Sequence, residues 1–232
     1  MKILAMDTSA DTVSVSLCED KKIIASFTGN LKKTHSGTLL PLIDAVLDYS
    51  EITCDRIDAF AVSVGPGSFT GIRIGVSTVK GLAFGKNVPA IGVSTLLAMA
   101  YNFSDCEGKI VCPTLNARRN EVYYALFRIV NGVPERLSED ASAHASVLED
   151  ILIDTKEEVL FCGDGTDVLR KNFARLVIPS DNQLLFYPSA SSVAFAAFDK
   201  LSKNEITYEN ELSPVYLKPS QAERERLERL NK

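Results

Sequence analysis

Histidine is nearly missing from this chain of 232 residues: there are two, His35 and His144. A metal centre needing three histidines is therefore excluded, and any histidine-centred site has few candidates. Cysteine is sparse and unpaired. The five residues Cys18, Cys54, Cys106, Cys112 and Cys162 are odd in number, and no two form a C-x-x-C pair. Neither a zinc site nor a disulfide scaffold fits that pattern, and reduced thiols are expected. Positive charge is not in excess, because 25 Lys and Arg stand against 30 Asp and Glu, for a net charge of −5. A free-standing nucleic-acid binder shows a basic face, so only a local basic patch is left open. No apolar run approaches the ~20 residues of a membrane span. Met1 to Asp7 has one lysine and a short apolar run, without the length or cleavage pattern of a signal peptide. A cytoplasmic protein with no membrane partner is the expectation.

What is present is an ordinary globular composition, 46% apolar and 24% charged, in a chain long enough for one large domain or two small lobes. Ile3 to Met6 is an apolar run ending at Asp7. Val13 to Leu17 alternates with period two, Glu19 to Lys22 is a polar turn, and Ile23 to Phe27 resumes the pattern. This spacing predicts three antiparallel strands with Asp7-Thr8-Ser9 in the first turn. From His35 to Ser50 the period changes, and Leu39, Leu40, Ile43, Val46 and Leu47 fall at helical spacing. A buried strand over Ala59–Val64, a helix from Thr70 to Phe84, a strand over Ala90–Val93 and a helix capped by Ser94 follow. From Lys109 the order restarts: strand (Ile110–Leu115), polar loop (Asn116 to Asn120), strand (Val122–Ile129) and an Asn131-Gly132 turn, with Val159–Cys162 the clearest later strand. Two similar α/β lobes are expected, 1–104 and 105–232, with the final helix free to pack back on the first lobe. The highly charged Gln221 to Lys232 reads as a solvated, lightly docked helix.

The glycine loop Gly65-Pro66-Gly67-Ser68-Phe69-Thr70-Gly71 invites a phosphate-binding reading, since helix N-termini attract anions. The Walker pattern fails because the loop continues Ile72-Arg73, and the dinucleotide pattern fails because Thr70 stands at the sixth position. The competing reading is a tight strand-to-helix turn. Asp7 could hold a cation through water, or simply end its strand and bond its own turn. His35 and Ser36 are adjacent, so they do not form a nucleophile–base pair, and no G-x-S-x-G elbow exists. His35 reads as a helix start or contact residue. Arg118 and Arg119 suit phosphate or carboxylate recognition, or salt bridges between lobes. Gly163 and Gly165 flank a turn signal after a strand. The two N-terminal helices are apolar on much of their surface: Leu39, Ile43, Val46 and Leu47 on the first, and Ile72, Val76 and Val79 on the second, with Ile74 and Leu82 outside that stripe. Gly71 and Gly75, four apart, permit close approach. Such helices are covered on more than one side, by their own core or by a partner.

His35-Ser36 with Leu39-Leu40-Pro41, the string Ser63 to Gly75, the string Gly92 to Leu96, and Ser213-Pro214-Val215-Tyr216-Leu217 together resemble the TsaB (YeaZ) family. Asn116 to Tyr123 resembles a further block of it, which more often begins with Asp. The resemblance covers essentially the whole chain. It implies the two-lobed ASKHA (actin, Hsp70 and sugar-kinase-like) fold. It implies a non-catalytic subunit in the synthesis of threonylcarbamoyladenosine on tRNA, partnered with the catalytic TsaD, the ATPase TsaE and, when alone, a second copy of itself. On this reading tRNA is met only through the complex, and no cofactor is tightly bound; an adenine nucleotide enters only in the complex. The residues implied at the interface are His35, Leu39, Ile43, Val46, Leu47, Gly71, Ile72, Gly75, Val76, Val79 and Leu82. Weaker candidates for nucleotide or anion contact are Asp7, Gly67, Ser68, Arg118, Arg119, Gly163 and Gly165. TsaD carries a His-x-x-x-His metal pair whose positions fall on Thr95 and Met99, neither a hard-metal ligand here. The alternatives are a small-molecule phosphotransferase of the same superfamily and, further off, a peptidase.

Overall fold

Period-two patterning gives the first three strands. In this computed structural model, which describes residues 1–30, 34–176 and 185–218, β1 (Lys2–Asp7), β2 (Val13–Glu19) and β3 (Lys22–Gly29) form an antiparallel meander. Two crossover helices, α1 (His35–Tyr49) and α2 (Phe69–Ala83), then bring β4 (Ala59–Gly65) and β5 (Ala90–Ser94) in parallel to β1. The sheet order is β3-β2-β1-β4-β5.

The apolar stripes of α1 and α2 lie on this sheet. Leu39, Ile43 and Val46 pack with Ile72, Val76, Val79 and Ala83 over Leu4, Met6, Phe60 and Val62. Leu47 and Leu82 are partly buried against the same cluster. The opposite face of the sheet is covered by α3 (Thr95–Tyr101) and α6 (Ala190–Ser202). Ser94 starts α3, its Oγ accepting from Leu97 N–H at 3.2 Å. Nearly every residue of α3 is buried, with Leu97 partly so. A helix wrapped on all sides is central, and α3 packs on both sheets at once, its Ala98 and Tyr101 in one core and its Leu96, Met99 and Ala100 in the other.

The second sheet contains β6 (Ile110–Asn116), β7 (Glu121–Tyr124), β8 (Phe127–Val130), β9 (Val133–Arg136), β10 (Ala141–His144) and β11 (Val159–Cys162), with α4 (Ala145–Thr155) and α5 (Thr166–Asn172) on its outer face. The single strand expected over Val122–Ile129 is present as two segments, β7 and β8, that keep one register against β6: Thr114 faces Tyr124 and Val111 faces Phe127. The gap at Ala125–Leu126 falls opposite Cys112–Pro113, and Pro113 has no N–H to give. Leu126 is bonded on its other side, donating to Ser138 Oγ at 2.9 Å and accepting from Leu137 N–H at 2.8 Å. With β7–β8 and β9–β10 each taken as one interrupted strand, the order becomes β11, β6, β7–β8, β9–β10. That repeats β4-β1-β2-β3 of the first lobe. The fold is the two-lobed ASKHA type.

Of the span expected as the second lobe, 105–232, the C-terminal third packs elsewhere. α6 returns to the first sheet, where Ala194, Ala196 and Ala197 sit at 0–1% exposure against Ile3, Ala5, Ala59 and Ile91. These small side chains let the helix approach the strands closely. Beyond α6, Thr207 bonds both backbone groups of Ala90 (2.9 and 2.7 Å), and Leu212 joins the first lobe's core. The first lobe is thus 1–101 together with 189–212, and the second is an insertion. The charged segment read at Gln221 to Lys232 lies outside the described residues. Among the described residues no helix is long and apolar enough to cross a membrane.

Candidate functional site

The ends of β1, β4 and β6 meet where the two lobes face each other, around a cleft of about 510 Å³. Its walls are the β1–β2 turn (Ser9, Ala10, Asp11), the β4–α2 loop (Pro66 to Thr70) and the β6–β7 loop (Leu115 to Arg118). Tyr123, Asp164 and the segment Val215 to Lys218 complete it.

Asp7 ends β1 but does not reach this space. It is 0% exposed. Its Oδ1 accepts from Ser9 N–H at 3.0 Å, and Ser9 Oγ lies 3.0 Å from both carboxylate oxygens. Burial pushes its carboxyl above the ordinary range, and the Ser9 bonds offset part of that. The aspartate therefore ties its own turn, and the candidate role of Asp7 in nucleotide or cation contact is corrected.

The glycine loop is equally committed. Gly65 (φ 124°) and Gly67 (φ 154°) hold backbone conformations that side chains resist. Ser68 N–H donates to Ser9 O at 2.7 Å, and Ser68 Oγ caps α2 by accepting from Gly71 N–H at 3.2 Å. Two of the N–H groups that would greet a phosphate are spent inside the protein, although Gly67 and Ser68 do line the cleft. A strand-to-helix turn is what the loop forms.

Gly71 and Gly75 do permit a close approach, but by Thr8 of the same lobe. Thr8 Oγ1 donates to Gly71 O at 2.7 Å, and a Cβ at Gly75 would stand 2.5 Å from Thr8 Oγ1. This corrects the partner-facing role expected for Gly71, Gly75, Leu39, Ile43, Val46, Ile72, Val76 and Val79. All eight are buried in the chain's own lobe. An apolar stripe on a helix shows that it is covered, and here the sheet covers it. Of the remaining expected interface residues, Leu47 and Leu82 are half-buried. His35 is half-buried too, its Nε2 lying 2.7 Å from Ala10 O. Outward on the same two helices stand Leu40 (53% exposed) and, at the C-cap of α2, Phe84 (79%).

The β6–β7 loop runs Arg118, Arg119 and Asn120 through left-handed backbone (φ 64°, 54° and 60°), each at a cost of about 1–2 kcal/mol. Asn116 steadies it: Oδ1 accepts Arg118 N–H at 2.8 Å, while its own N–H donates to Asp164 Oδ1 at 2.9 Å. That role uses only a carbonyl oxygen, which Asn supplies without charge. Arg118 lines the cleft. Gly163 and Gly165 are buried; a Cβ at Gly165 would stand 2.8 Å from Thr114 Cβ. They let β11 close onto β6 rather than face a ligand. The cleft balances Asp11 and Asp164 against Arg118 and Lys218, so it has no strong preference for anions. Lys218 itself is ion-paired with Glu121, whose carboxyl that lysine holds below the usual range.

Thr95 and Met99 are 0% exposed. Among the described residues no three His, Cys, Asp or Glu side chains come together as a metal site. Burial pushes the Cys112 thiol far up, which removes its nucleophilic form. The sequence reading missed Asp11, Phe69, Tyr123, Asp164 and Lys218 as cleft residues. Phe69, Tyr123 and the segment Val215–Leu217 lie within motifs that the sequence shows without a role, and of the candidate contact residues Gly67, Ser68 and Arg118 line the cleft.

With this geometry in place, the chain is similar to the following proteins. A family model described as TsaD, tRNA N6-adenosine threonylcarbamoyltransferase, matches residues 20–226. The tRNA threonylcarbamoyladenosine biosynthesis protein TsaB of Bacillus subtilis (strain 168) is 31% identical over 227 residues, covering 96% of each chain. That of Escherichia coli (strain K12) is 32% identical over 223 residues, covering 94% of this chain and 95% of its own. Among solved structures, YeaZ from Pseudomonas aeruginosa superposes with a TM-score of 0.80 at 25% identity, over 93% of this chain and 99% of that one.

Proposed function

The chain belongs to the TsaB (YeaZ) family of tRNA threonylcarbamoyladenosine biosynthesis proteins, and from that premise we propose that it serves this synthesis as a partner subunit and not as the catalyst. The observation that carries the reading is the commitment of the would-be phosphate site. Asp7 is sealed at 0% exposure and Ser68 N–H is spent on Ser9. A phosphotransferase would need both free. A peptidase would need a nucleophile and base together at the cleft, whereas the His35 ring is engaged by Ala10, and the contact of His144 Nδ1 with Ser146 Oγ (2.9 Å) is exposed and outside the cleft.

The catalytic partner on this reading is TsaD, with the ATPase TsaE joining and a second copy taking TsaD's place when the chain is alone. tRNA is reached through the complex, and any adenine nucleotide is bound there. The contact is made by apolar residues that α1 and α2 leave outside, among them Leu40 and, at the C-cap of α2, Phe84, with Ile74 and Leu82 half-buried on α2. Burying a phenylalanine or leucine is worth about 1.5–3 kcal/mol, or roughly a 10–100-fold change in affinity.

Phe84→Asp and Leu40→Asp test this in a binding titration with purified TsaD. Each is expected to fold with an unchanged melting temperature, since both side chains are exposed, and to bind TsaD at least about tenfold more weakly. Unchanged affinity in both variants places the contact elsewhere. Calorimetric binding of ATP by the isolated chain would favour the phosphotransferase alternative.

A further inference from the structure

The segment after Leu212 crosses between the lobes. On the first lobe, Val215 N–H donates to Val64 O at 2.7 Å. Gly65 lacks a side chain where a Cβ would collide with the Val215 carbonyl, so the strand end is shaped to receive this segment. Tyr216 stacks on Phe69 with ring centroids 4.1 Å apart and planes 19° apart. Arg73 closes the stack from above, 4.2 Å from the Phe69 centroid, and its Nε donates to Tyr216 OH at 2.8 Å. On the second lobe, Lys218 Nζ pairs with Glu121 and lies 3.4 Å from Ala117 O, in the β6–β7 loop. One short stretch of chain is thus anchored to both walls of the cleft it lines.

We propose that Ser213–Lys218 is an intramolecular strap that closes the interlobe cleft and latches the two lobes at one angle, with Tyr216 and Lys218 as its two anchors. In ligand-driven two-lobed proteins, closure follows from a ligand that contacts both walls. Here the chain supplies that bridging contact itself, so the closed arrangement needs no nucleotide. The inference stands apart from the partner proposed above, because it concerns the isolated chain.

Hydrogen exchange of the full chain, read by mass spectrometry, tests it with Tyr216→Ala, Lys218→Glu and the charge swap Lys218→Glu with Glu121→Lys. Tyr216→Ala and Lys218→Glu are each expected to speed exchange about tenfold on both cleft walls, over Val64–Thr70 and over Asn116–Glu121, stretches remote from the substitutions in sequence. The swap restores the slower exchange of Lys218→Glu. Three results overturn the strap: faster exchange confined to Ser213–Lys218, an even rise through both lobes, or a swap that restores nothing.

Discussion

The same substitution at two glycines of one helix should have opposite signs. Both Gly71 and Gly81 lie within α2, where replacing glycine by alanine ordinarily gains up to about 1 kcal/mol from the unfolded chain and the helix backbone. At Gly81 an added Cβ meets nothing within 4 Å. Gly81→Ala should therefore stabilise by about 1 kcal/mol and raise the melting temperature by roughly 2–4 °C. At Gly71 the Cβ would be driven into the Thr8 carbonyl, with Ser68 Cβ and Oγ both at 3.2 Å. None of these can move cheaply. Thr8 is held by its own bond to Gly71 O, and Ser68 is the cap of the helix. Overpacking of this kind costs about 1–3 kcal/mol, and displacing Thr8 from its hydrogen bond adds about 1 kcal/mol. After the helix gain is subtracted, Gly71→Ala should lose about 1–3 kcal/mol, several degrees of melting temperature. Urea and thermal unfolding of the two single variants measure this on the isolated chain. A neutral or stabilising Gly71→Ala would refute the reasoning, because it would mean that Thr8 does not fill the space and that the glycine is kept bare for something outside the lobe.

The two buried carboxylates should respond to pH in opposite directions. Asp7 has its pKa raised by burial, so the folded chain holds that proton more tightly than the unfolded one; its contribution is full below the ordinary aspartate value and falls as pH rises towards the raised one. Asp7→Asn should remove that slope and leave stability at neutral pH equal or higher; a large loss at every pH would contradict the assignment. At Glu149, burial pushes the pKa up, but N–H donors from Arg175, Leu176 and Ala174 (2.6, 2.8 and 3.2 Å) together bring it below the ordinary value. That contribution is present above the unfolded glutamate value and drains away as pH falls through the lower folded one. Glu149→Ala should destabilise at neutral pH and flatten the acid limb of the unfolding curve, and an unaltered acid limb would rule this out.

The periodicity of the chain made most elements legible: α1, α2 and the three-strand meander lie within a residue or two of the expected spans. What escaped was information held by a partner strand or a distant segment. Nothing between Val122 and Ile129 announces an interruption there, because its cause is Pro113 on the neighbouring strand. The return of α6 was not legible because its small residues Ala194, Ala196 and Ala197 name no destination, and only the fold shows them on the face of β1 and β4. The stripe Leu39, Ile43, Val46, Val79 was correctly read as covered and wrongly given to a partner. Periodicity gives the angle of a buried face and is silent about what lies on it. Asp7 and Ser68 could each be seen as candidates for a phosphate site. Only the three-dimensional meeting of Ser9 with both shows that their hydrogen bonds are already used.

The return of α6 to the first sheet also sets a condition on how the chain is made. The strands of the first sheet are complete at Ser94, and α3 follows directly, but the helix that covers much of one face, including Ile3, Ala5, Ala59 and Ala61, ends only at Ser202. A ribosome adding about 5–20 residues per second takes roughly 5–20 s over that interval, during which an apolar sheet face waits half-roofed. The nascent chain is then most open to mispairing or chaperone capture while its second lobe is being synthesised, and the first lobe is finished only after the second has emerged.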